Sequence, residues 1–82
     1  MANQEAINEF KSMTLKELHE FLTAHDQTSY AEDSRVRLFC KKHYPYQYNH
    51  GITFALTMMY IDLSYALYES LQVAYVTLKD LA

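Results

Sequence analysis

From Ile52 to Ala82 the chain runs thirty-one residues without a proline or a glycine, and a helix drawn through them is apolar around most of its circumference. As one α-helix this segment extends about 45 Å at 1.5 Å per residue. A compact chain of 82 residues has a radius of gyration near 12 Å, so it is about 30 Å across. The helix therefore overhangs its own domain or kinks. If it overhangs, a second copy or a foreign partner has to cover the excess.

The rest of the composition narrows the fold class. A chain this short makes one domain and buries only about 60–65% of its unfolded surface, which leaves it marginal alone and favours assembly. Half the residues are apolar and there is one glycine and one proline, so neither disorder nor an all-β fold is expected. The expectation is an all-α fold: three short helices packed on one long carboxyl-terminal helix, a bundle completed by self-association. Cys40 is the single cysteine, so no internal disulfide forms, and Met1 to Glu5 lacks the charged and apolar regions of a signal peptide; both features point to the cytoplasm. Gly51 to Tyr68 carries one charge, Asp62, but also Thr53, Thr57 and Ser64, and no Lys or Arg stands between Lys42 and Lys79. A buried or interface helix fits that pattern better than a membrane span.

Along the chain, Ala6, Ile7, Phe10 and Met13 fall on one face of a first short helix within residues 1–13. Thr14-Leu15-Lys16-Glu17 has the form of a capping box and opens a second helix over 14–26, with Leu15, Leu18, Phe21 and Leu22 as its inward stripe. The polar run from Ala24 to Ser29 suits a turn and a new N-cap. A third, basic helix over 29–43 places Val36, Phe39, Cys40 and His43 on one side. It ends at Tyr44-Pro45, because the residue before proline is pushed out of the α region. Residues 44–51 read as a tyrosine-rich loop packed down on the body.

On the long helix, 52–82, Asp62, Glu69 and Asp80 form a thin acidic stripe expected to face solvent. Nearly opposite lie Leu56, Tyr60, Leu63, Leu67, Leu71, Ala74, Leu78 and Leu81. A second apolar row, Phe54, Ile61, Tyr68 and Tyr75, repeats every seven residues. Two apolar rows need two sets of neighbours, and a heptad row is what a neighbouring helix packs against. Leu56, Tyr60, Leu63, Leu67, Tyr68, Leu71 and Tyr75 are therefore the expected self-association residues.

Charge is segregated along the sequence. Residues 1–34 carry two lysines against seven acids, a net of −5, whereas 35–50 carry Arg35, Arg37, Lys41 and Lys42 with no acid, a net of +4. The remainder, with Lys79 against Asp62, Glu69 and Asp80, is −2, giving −3 for the chain. The basic stretch followed by Tyr44, Tyr46 and Tyr48 is the expected partner-binding surface. One alternative is a small nucleic-acid-binding regulator, with cations on phosphates and rings on bases. Against it, cations near a helix C-terminus offset the macrodipole, Arg35 and Arg37 can pair with the acidic first half, and a net acidic chain repels nucleic acid at long range.

The chemistry-bearing motifs are sparse. The second and third helices outline a helix-turn-helix, but Ala24 to Ser29 holds no glycine, and Glu32 and Asp33 would sit in the groove-reading first turn, facing phosphates. Cys40, His43 and His50, with His19 and His25 elsewhere, do not follow a zinc-ligand spacing, so no metal or cofactor is expected. With Gly51 alone, neither a phosphate-cradling loop nor a nucleophile elbow assembles, and no enzyme is expected. Eight tyrosines suit a protein interface, since tyrosine combines contact area with a polar tip at low entropic cost. These features lead to a non-enzymatic protein–protein interaction module, a homodimer acting as a stoichiometric inhibitor or adaptor on another protein. By analogy with other small lone chains, that includes the kind viruses direct at host machinery.

Overall fold

A computed structural model describes residues 3–24 and 34–81, with side chains as far as Leu71 and at Lys79. Among the described residues there are five helices and no strand: α1 (Gln4–Lys11), α2 (Leu15–Leu22), α3 (Arg35–His43), α4 (Pro45–His50) and α5 (Ile52–Leu81). The expected all-α class holds, with a long carboxyl-terminal helix packed against shorter ones. Residues 25–33, and the side chains of Ala74, Tyr75, Leu78, Asp80 and Leu81, lie outside the described residues.

Local sequence chemistry sets the helix ends. Asn3 caps α1 by accepting from the Ala6 N–H at 3.1 Å. The capping box of α2 is complete: the Glu17 N–H donates to Thr14 Oγ1 at 3.2 Å, and the Thr14 N–H donates to Glu17 Oε1 at 3.0 Å. Ser34, in an extended conformation, accepts from the Arg37 N–H and starts α3 at Arg35, later than the residue-29 start expected from sequence. The expectation for Glu32 and Asp33 lies outside the described residues.

The stretch 44–51 corrects a second expectation, because it is not a loop. Tyr44, before proline, leaves the α region (φ −129°, ψ 53°) and ends α3, but Pro45 then stands at the first position of a new helix, α4. Proline has no N–H to lose there, and its fixed φ is already helical. A proline that stops one helix thus opens the next. Gly51 closes α4 at φ 143°, ψ 141°, a region that only glycine enters without strain.

Packing follows from those ends. Phe10, Phe21 and Phe39, one from each of α1, α2 and α3, form a closed aromatic triangle with centroid separations of 4.6–5.3 Å. Such ring pairs add about 0.5–1.5 kcal/mol each beyond their buried area. α1, α3 and α4 pack on α5, whose buried residues, among those described, are Ala55, Met59, Asp62, Leu63 and Ala66. The molecule measures 48 × 26 × 17 Å, and its 14.1 Å radius of gyration exceeds the roughly 12 Å of a compact chain of this size. Thirty residues of α5 span about 45 Å at 1.5 Å per residue, close to the longest dimension.

The face that α5 buries is a third correction. Asp62, expected on a solvated stripe, is fully buried, and its neighbour on that side, Glu69, bonds Lys11 of α1 at 2.8 Å. A helix apolar on nearly every side gives no periodicity to say which side is inside. The polar partners available to Asp62 decide it.

Candidate functional site

Asp62 occupies the junction of α1, α3, α4 and α5. The Tyr44 hydroxyl donates to its Oδ2 at 2.6 Å, and the Asn3 backbone N–H donates to its Oδ1 at 3.2 Å. Asn3 also donates from its side chain to the His43 carbonyl at 3.0 Å. Both carboxylate oxygens are thus engaged, as a buried charge requires. Burial first, and then the Asp62 carboxylate, push the Tyr44 phenol far above its ordinary range, so Tyr44 remains a donor. This cluster ties four helices together. It is a structural centre, and one of the seven expected partner-binding residues, Tyr44, is consumed in it.

Two of the four Lys and Arg side chains of the basic stretch pair with acids of the first half. Arg35 pairs with Glu17 at 2.5 Å, and Lys42 and His43 both reach Glu9, at 3.0 and 2.7 Å. The His43 side chain is 3% exposed and its ring lies 4.4 Å from that of Phe39. Burial works to raise the Glu9 carboxyl, but hydrogen bonds from His43 and Lys42 outweigh it and hold the group below its ordinary value. Glu17 is held low as well, first by the Thr14 N–H and then by Arg35. The acidic and basic segments of the sequence are therefore each other's counter-ions, with α1 and α2 facing α3. Lys41 sits 5.5 Å over the Tyr48 ring. Tyr46 is exposed and its ring lies 4.4 Å from that of His50. Of the expected partner surface, Lys41 and Tyr48 meet at the α3–α4 corner, Tyr46 projects from another side of α4, and Arg37 is half-buried.

The expected self-association row divides. Leu63 is in the core; Leu56, Tyr60 and Leu67 are half-buried against it; Leu71 and Tyr68 are exposed; and Tyr75 lies outside the described residues. The other flank of α5 is more open: Phe54, Ile61, Tyr65 and Tyr68 are between 45% and 59% exposed. From Phe54 to Tyr68 no charged side chain interrupts that flank, since Asp62 points inward and Glu69, at its edge, is bonded to Lys11; Lys79, exposed, returns to the same line five turns beyond Ile61. Its small polar residues are satisfied by their own helix: Thr57 Oγ1 donates to the Thr53 carbonyl at 3.0 Å and Ser64 Oγ to the Tyr60 carbonyl at 2.8 Å. Ile61, Ser64, Tyr65 and Tyr68 together line a shallow depression on this flank. Tyr65 is the member sequence reasoning missed. It stands four residues beyond Ile61, on the same side of the helix, and counting in fours as well as sevens would have found it.

Cys40 is buried beside Met59, and burial pushes its thiol up to about 12, far from a reactive thiolate. Among the described residues no three His, Cys, Asp or Glu side chains converge as metal ligands, and no helix is long and apolar enough to cross a membrane. Comparison with protein-family models, curated proteins and solved structures finds no match to this chain.

Proposed function

We propose that this chain is a non-enzymatic protein–protein interaction module that pairs through α5 and acts as a stoichiometric inhibitor or adaptor on another protein. The observation that carries the reading is the flank of α5 from Phe54 to Tyr68, free of charged side chains, with Phe54, Ile61, Tyr65 and Tyr68 about half exposed and the Thr57 and Ser64 hydroxyls already bonded within the helix. A face of that kind loses little on desolvation and gains from burial of its rings. The α3–α4 region, with Lys41 and Tyr48 at the corner and Tyr46 on another side of α4, supplies a second and separate surface for the foreign partner. Internal pairing of Arg35 and Lys42 favours this reading over nucleic-acid binding, which needs cations available to phosphates.

Affinity purification from the native host tests the foreign partner. The expected result is one protein retained in fixed stoichiometry by the wild type and lost by Tyr46→Ala with Lys41→Ala, while the circular dichroism spectrum is unchanged. Equal retention by the double variant, or no stoichiometric partner, contradicts it.

A further inference from the structure

We infer that the occupant of the Phe54–Tyr68 flank of α5 is the same flank of a second copy, running antiparallel, with Ile61 facing Ile61 near the two-fold axis. This rests on the self-association reading above and adds to it a face and a direction.

Area is the first argument. Three rings about half exposed present about 300 Å² from a full aromatic burial of roughly 200 Å² each. With Ile61 and the flanking Thr57, Met58 and Ser64 the flank offers about 500 Å², which a two-fold axis doubles to about 1,000 Å², the lower bound for a specific interface. A two-fold contact is self-complementary by construction, so any charge on the patch is buried twice and needs a counter-charge from the mate to set against it. This flank carries no charge.

Bulk along the helix gives the direction. The amino-terminal half of the flank carries one ring, Phe54, followed by the small Thr57; the carboxyl-terminal half carries Tyr65 and Tyr68 around Ser64. A parallel pair would bring four tyrosine rings together at one end against only two Phe54 rings, with Thr57 and Met58, at the other, so the helices would splay from the usual 8–10 Å separation. An antiparallel pair sets the thick half of each against the thin half of the other. Phe54 of one copy then stacks beside Tyr68 of its mate, and the two helix macrodipoles oppose favourably.

Single cysteines read this directly, and buried Cys40 makes the wild type the background control. Ile61→Cys is expected to form a disulfide with itself. Phe54→Cys and Tyr68→Cys are each expected to link poorly alone, but to give about ten-fold more linked dimer when the two variants are mixed. Self-linking of Phe54→Cys alone at the level of the mixture overturns the antiparallel direction and leaves self-association standing. A dimeric mass with no link at any of these positions places the contact elsewhere and overturns the inference. A single-chain mass throughout overturns both it and the reading on which it rests.

Discussion

Asp62 shows how one buried residue organises this chain. Its two oxygens take donors from Tyr44 and from the Asn3 backbone, residues 18 and 59 positions away in sequence. Tyr44→Phe removes the shorter bond and leaves a buried carboxylate with one protein donor, at an expected cost of about 2 kcal/mol, measured by urea unfolding. Glu9 gives a pH-dependent counterpart. Its carboxyl is held below 4.5 in the folded chain, so its contribution is present at neutral pH and is lost as pH falls from about 4.5 through the lowered value. The Glu9 side chain is 36% exposed, so solvent limits the loss to about 1 kcal/mol or less. Glu9→Gln is expected to lower stability at pH 7 and to flatten its decline below pH 4.5 relative to wild type. A parallel decline in both proteins would assign acid sensitivity to another group.

At the level of the elements, the helix ends were readable where a side chain caps its own backbone. Thr14 and Glu17 announce α2 within four residues, and Thr14→Ala is expected to cost about 1 kcal/mol in thermal unfolding. Gly51→Ala is expected to cost a similar amount for a different reason: a Cβ there meets nothing within 4 Å, but φ 143° disfavours any side chain. The helix α4 escaped prediction because proline both ends and begins helices, and the sequence alone weighted the ending. The solvent-facing assignment of Asp62 failed for a related reason. Hydropathy counts a carboxylate as polar, whereas its placement depends on whether Tyr44 and Asn3 can reach it, a tertiary fact absent from local periodicity. The clue available was its isolation, as the one charge among eighteen residues from Gly51 to Tyr68. The candidate site was legible in part: Phe54, Ile61 and Tyr68 stand out by their heptad spacing, whereas which cations stay unpaired depends on how α1 and α2 fold against α3.

For the whole molecule, the excess length of α5 and its uncharged Phe54–Tyr68 flank raise the same question: what lies against a helix longer than the body it supports. Pairing of Arg35 and Lys42 within the chain lowers the charge open to phosphates, and the half-exposed rings of α5 suit the protein neighbour proposed above. The central claim is that the neighbour includes a second copy. Sedimentation equilibrium of the wild-type chain over a concentration series tests this most directly, with Ile61→Glu in parallel and circular dichroism on both. The account expects the wild-type mass to rise from 9.7 kDa to twice that value with concentration, while Ile61→Glu stays at the single-chain mass with its helix content intact. A wild-type mass fixed at one chain across the series, or an Ile61→Glu variant that dimerises as the wild type does, would contradict it.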